Sequence, residues 1–255
     1  LSAGRPVVPG AMASAHRLVL DARTELHRVS GRGREVLHAE YGDEVARALG
    51  LGDRFDLARA LSDASRTIAF TADQAIRASC ASLSSRGLTG LLRRSPIRRP
   101  LDDGVVEHSG EVALARNARI AEDPWLPLRV AAAAARFGLP VAGSTLGVLV
   151  ERSPTPQGRW PAEALSDLLV LLGSGEAQVP VLEALDRTGL WERILPEWSE
   201  VRDLPPRDRA HVYTVDRHLV QTAVEASRLT TSVARADLLL LAALLHDLGK
   251  SREGD

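Results

Sequence analysis

Apolar residues recur at intervals of three and four along almost the whole chain, and that periodicity restricts the fold to packed helices. Leu18, Val19, Ala22, Leu26 and Val29 form one such stripe between Ala13 and Val29. "GDEVARALGLGD" predicts a short helix from about Asp43 to Leu49, closed by Gly50. Asp53 is placed to cap a long helix, "RFDLARALSDASRTIAFTADQAIRASCASL", which Gly87 ends. "PWLPLRVAAAAARFG" has Pro124 and Pro127 near its start and Gly138 at its end, the asymmetry of a helix. Further helices are predicted near Pro161–Leu172, Glu176–Thr188 and Leu190–Ile194, then two long ones over His211–Leu229 and Val233–Leu248. The good β signal is "DDGVVEHSGEVALA", two short apolar runs about a polar turn containing glycine, which predicts a small hairpin near 104–114. The expected class is therefore mainly α with one short hairpin. "ERSPTPQGRWP" interrupts the pattern as a linker or loop, so two regions are expected, a helical one over 1–151 and a second over 160–255.

The chain has 255 residues, 45% of them hydrophobic and 25% charged, enough for one large or two small soluble domains. A formal net charge of −1 gives no bulk attraction to nucleic acid or to a membrane surface, and neither is expected as a partner. The local exception is "RGLTGLLRRSPIRR" over Arg86–Arg99, which reads as a solvated basic loop or, more sharply, as an anion or partner contact. Cys80 is the single cysteine, which excludes a disulfide framework and a thiolate metal site. Its helical context predicts a small buried side chain, and a reducing, cytoplasmic setting fits. "LLLLAALL" at Leu238–Leu245 is too short to span a bilayer. The first residue is Leu1 and the one methionine is Met12, so the sequence is expected to be a stretch of a longer protein at both ends.

The reactive-looking residues lie near the C-terminus, in "AALLHDLGKSREGD". A catalytic metal site needs neutral imidazoles and carboxylates on rigid elements with a coordination position left open. His246 and Asp247 are adjacent, so on a helix they point about 100° apart and can straddle one ion. Taken alone, the pair also fits an ordinary helix end, with His246 on the last carbonyls and Asp247 in water. His218 lies near the start of the preceding predicted helix, in "HVYTVDRHLVQTAVEA", and the short connection "RLTTSV" predicts that the two helices pack antiparallel. His218 and His246 would then stand at the same level. Asp216, two residues before His218, reads as a helix cap or as a group that orients a ligand.

These residues resemble the motif of the HD superfamily of metal-dependent phosphohydrolases: an upstream His, a His-Asp pair and a later Asp. The fuller combination "LPEW", "HVYTVDRH" and "LLHDLGKSREGD" resembles the PII uridylyltransferase/uridylyl-removing family, the nitrogen-signalling type. "DARTELHRVSGRGREVLHAEYGDEVARALG" resembles the helical segment after that family's nucleotidyltransferase core, and "EDPWLPLRVAAAAARFGLP" its actinobacterial branch. The resemblance implies that 160–255 holds the first helices of an HD-type all-α hydrolase domain. His218, His246 and Asp247 would be its first metal ligands, for manganese, iron, zinc or magnesium. It implies a substrate-side or structural role for His211 and an approach of Lys250 to a phosphate. The implied substrate is a PII signalling protein carrying UMP, or AMP in the actinobacterial branch, on a tyrosine. The Gly-Ser pair and spaced carboxylates that hold magnesium in the family's transferase core are absent, and so is the final HD aspartate. Another HD phosphohydrolase, acting on a nucleotide or alarmone, and a non-catalytic helical scaffold are the other readings.

Overall fold

The computed structural model describes residues 9–86, 97–207 and 213–249. Three helices open it: α1 (Pro9–Ser30), α2 (Ala39–Ala48) and α3 (Arg54–Arg86). Asp53 caps α3 as expected. Its Oδ1 accepts hydrogen bonds from the backbone N–H of Phe55 (2.7 Å) and Asp56 (3.0 Å), while Asp56 Oδ2 accepts from the Asp53 N–H (3.3 Å). This reciprocal pairing satisfies donors that the first turn of any helix leaves open. Replacing Asp53 with alanine is expected to lower stability by about 1 kcal/mol, measured as a shift in the urea midpoint at unchanged slope. Ala22 and Leu26 of α1, Val45 and Ala46 of α2, and Leu57 of α3 bury against one another as a first core. Gly42 lets α2 approach α3, since a Cβ there would lie 2.7 Å from the Cβ of Arg54.

Three antiparallel strands follow in the order β1 (Arg99–Asp102), β2 (Val105–His108) and β3 (Glu111–Leu114). Ser109 and Gly110 link β2 to β3 with φ of 57° and 81°. Positive φ at both loop residues is the geometry of a two-residue hairpin turn whose twist matches that of the strands. The expected hairpin is thus present, and β1 joins it through an irregular register at Pro100–Asp102. The proline and charges of "RPLD" hid that strand from a hydrophobicity pattern.

The larger core is built around α4 (Leu126–Phe137), whose Val130 and Ala131–Ala135 are all buried. Small alanine side chains let α6 (Ala162–Leu172) pack close to α4. Gly138 ends α4 in the left-handed conformation (φ 63°), where glycine carries no Cβ penalty. Val105 and Val112 of the sheet, Leu146 and Leu149 of α5 (Gly143–Arg152), and Leu182 and Leu185 of α7 (Gln178–Arg187) close over it. Trp191 of α8 (Leu190–Ile194) and Trp198 of α9 (Trp198–Val201) meet edge-to-face at 5.9 Å. Helices α10 (Val215–Ser227) and α11 (Ala236–Leu245) complete this core with Leu219, Ala223, Leu240 and Leu244.

Two expectations need correction. Helices α5 and α9 were not expected, and Cys80 is exposed rather than buried. Phe70 is the last buried residue among the described side chains of α3, ten positions before Cys80. Most of the basic stretch over Arg86–Arg99 lies outside the described residues, as does Gly87. Among the described residues no single helix is long and apolar enough to cross a membrane.

Candidate metal centre

Helices α10 and α11 are joined by a single turn, Thr230–Ser232, and pack against each other. The buried face of α10 carries Val215, Leu219, Ala223 and Ala226, spaced by three and four, and α11 meets it with Leu240, Ala243 and Leu244. His218 lies one turn into α10, its N–H donating to the Thr214 carbonyl (2.8 Å). His246 is the residue that ends α11. The antiparallel pairing therefore brings the start of one helix level with the end of the other, and the two imidazole rings stand edge-to-face with centroids 5.3 Å apart.

Asp247 completes the group. Its Oδ2 lies 3.6 Å from His246 Nε2 and 4.0 Å from His218 Nε2. One ligand atom from each of the three residues lies within 4.8 Å of the other two. Metal–nitrogen and metal–oxygen bonds of about 2.0–2.2 Å place tetrahedral ligand atoms roughly 3.4 Å apart, so this group needs only a small contraction to hold one divalent ion. His246 Nδ1 lies 3.1 Å from the Ala243 carbonyl oxygen. A carbonyl only accepts, so Nδ1 carries the proton and Nε2 presents its lone pair towards the other two residues. Two imidazole nitrogens and one carboxylate are a donor set for a borderline divalent metal. His211 and Lys250 lie outside the described residues.

Asp216 departs from the reading as a helix cap. Its side chain makes no cap bond and is 1% exposed. Asp216 Oδ2 instead accepts a 2.6 Å bond from Arg66 Nη1, from 150 positions earlier in the chain. The same guanidinium donates to Asp203 Oδ1 (2.8 Å) and, through Nε and Nη2, to Glu183 (2.6 Å at the shortest). Arg187, itself buried, pairs with Asp186 (2.6 Å) and Asp203 (2.9 Å), and Arg202 Nε bonds Asp186 (3.2 Å). No local pattern marks Arg66, because its carboxylate partners are more than a hundred positions away. Beside this cluster, a cleft of about 470 Å³ is lined by Phe70 and Pro180 and by Tyr213, Thr214 and Arg217 at the start of α10.

The cluster carries a pH dependence. Burial pushes the Asp203 carboxyl up, but Arg66, Arg187 and the Ser62 hydroxyl together overcome this and hold it below the usual carboxylate range. A depressed folded-state value means stability that is present above the ordinary value of about 3.9 and lost as pH falls through the lower one. The stability gap between wild type and Asp203→Asn is therefore expected to hold constant from neutral pH to about 5 and to close below about 4, measured by urea unfolding across pH.

Residues 215–255, the segment that carries α10, α11 and the three clustered side chains, match the family model described as "HD domain". Across nearly its whole length the chain is also similar to curated bacterial proteins. It is 58% identical over 246 residues to the bifunctional uridylyltransferase/uridylyl-removing enzyme of Mycobacterium tuberculosis (strain ATCC 25618 / H37Rv), covering 96% of this chain and 30% of that protein. The enzymes of the same name from Streptomyces coelicolor and Corynebacterium glutamicum are 46% and 44% identical, over 96% and 92% of this chain. The chain belongs to the family of bifunctional uridylyltransferase/uridylyl-removing enzymes, and it spans 30% to 33% of the length of these three relatives. No solved structure matches it at a significant level.

Proposed function

We propose that this chain contributes the metal-holding part of a hydrolase that removes a nucleotide from a PII signalling protein, with residues 160–255 opening the hydrolase unit. The observation that carries the reading is the convergence of His218, His246 and Asp247 inside the segment matched by the HD family model. The bond to be broken is the phosphodiester between a tyrosine oxygen and UMP, or AMP in the actinobacterial branch.

His218 Nε2, His246 Nε2 and Asp247 Oδ2 would hold one divalent ion, of manganese, iron, zinc or magnesium. When bound, such an ion supplies Lewis-acid charge and brings the pKa of water down towards roughly 7. The Ala243 carbonyl keeps the His246 proton on Nδ1, so that Nε2 is the nitrogen left to hold an ion. Helices α10 and α11 fix the spacing of the two imidazoles before any ion arrives. Lys250, three positions after Asp247, is proposed to meet the phosphate, and His211 to lie on the substrate side. The nucleotide-adding half of the relatives' name has no counterpart motif in this sequence and is left to other parts of a protein of the relatives' length.

The test uses a protein of the relatives' length carrying this segment, with PII bearing UMP or AMP as substrate. Manganese-dependent release of one of the two nucleotides, lost in Asp247→Asn, is expected. Release that proceeds unchanged in Asp247→Asn would overturn the reading.

A further inference from the structure

Asp216 depends on one cation. Among the carboxylates of the buried cluster, Asp186 and Asp203 each touch Arg187 and Arg202 as well as Arg66. Glu183 touches Arg66 and Arg187. Among the described residues Asp216 pairs with Arg66 alone, and its second oxygen, Oδ1, is buried without a hydrogen-bond partner among them. The guanidinium of Arg66 is therefore replaceable for three of its four carboxylates and irreplaceable for the fourth.

That fourth carboxylate sits on the turn that presents His218. Asp216 and His218 are both in the first turn and a half of α10, and the turn is closed by the His218 N–H on the Thr214 carbonyl. Without Arg66, Asp216 would be a buried anion with no counter-charge among the described residues, a state relieved when the turn swings out to water. Metal ligands tolerate displacements of only about 0.5 Å. Movement of this turn carries His218 away from His246 and Asp247, which α11 holds.

We propose that Arg66 is a positioning residue for the metal centre: by clamping Asp216 it fixes the first turn of α10, and with it His218, against α3 and α7. This rests on the reading of His218, His246 and Asp247 as metal ligands. Arg66 touches neither ion nor substrate; it acts through Asp216. Its planar fork engages Asp216, Asp203 and Glu183 at once, a geometry that a lysine's single ammonium cannot reproduce.

The test is cobalt(II) binding to the purified chain, followed by its visible absorption and by titration, under conditions where circular dichroism shows each variant folded. Wild type is measured first. If it binds no cobalt, the ligand reading fails, and this proposal with it. Given wild-type binding, Arg66→Lys and Asp216→Asn are each expected to weaken it about tenfold or more and to change the cobalt spectrum, the size of effect that outer residues have at metal sites. Arg202→Lys, which loosens the same cluster without touching Asp216, is expected to stay within about twofold of wild type. Should Arg66→Lys not fold, Asp216→Asn decides alone, because it keeps the side chain's shape. Cobalt affinity and spectrum unchanged in folded Asp216→Asn, or weakened as much by Arg202→Lys, would overturn the proposal even with the ligand reading intact.

Discussion

Replacing His246 with alanine is expected to weaken divalent-metal binding more than ~100-fold, beyond the upper end seen for residues that merely support a ligand. The substitution removes one of three protein donors and leaves Asp247 and His218 4.0 Å apart with nothing to complete the triangle. It should leave the fold almost untouched. The His246 side chain is 39% exposed at the end of α11, and its one described side-chain hydrogen bond is local, to Ala243. Surface changes of this kind stay within about 0.5 kcal/mol. Manganese titration followed by electron paramagnetic resonance, beside urea unfolding, measures both halves. Retention of wild-type affinity would mean that His246 is no ligand.

Trp191→Ala should do the reverse, costing about 3–5 kcal/mol of stability while sparing metal affinity in the molecules that remain folded. Trp191 is 1% exposed at the centre of the larger core. Its ring meets Trp198 at 82°, an edge-to-face contact worth about 0.5–1.5 kcal/mol beyond the area it buries. A domain's whole stability is about 5–15 kcal/mol, so the loss is readily visible in the urea midpoint. A shift of less than about 1 kcal/mol would show that neighbouring side chains collapse into the space.

How far the sequence leads depends on how local each determinant is. The Asp53 cap, the Gly138 stop and the pairing of α10 with α11 are written in residues a few positions apart, and all three are present. The meeting of His218 with His246 follows from the same local logic, because one short turn dictates that the helices run antiparallel. Helix α5 was illegible because "GSTLGVLVER" mixes glycine with β-branched residues; its helix is set by burial of Thr145, Leu146 and Leu149 on the core. The cap reading of Asp216 failed for a related reason. An acidic residue at a helix start normally serves that helix, and only the fold shows that its partner is on α3. Exposure of Cys80 is a tertiary fact too, since nothing within α3 marks where its packed stretch ends.

His218 and the His246–Asp247 pair of the proposed metal site lie on one helix and at the end of the next, whereas the Arg66 pair closes across 150 positions. Contacts near in sequence form early in folding, and distant ones must first overcome the entropy of a long loop. During refolding, the α10–α11 pair should therefore bring its histidines together in a loose arrangement well before α3 docks. The final tightening of the centre becomes a late event, set by the arrival of a helix from the other end of the chain. Metal capture followed in stopped flow should then show a weak early phase and a slower strengthening that tracks the burial of α3.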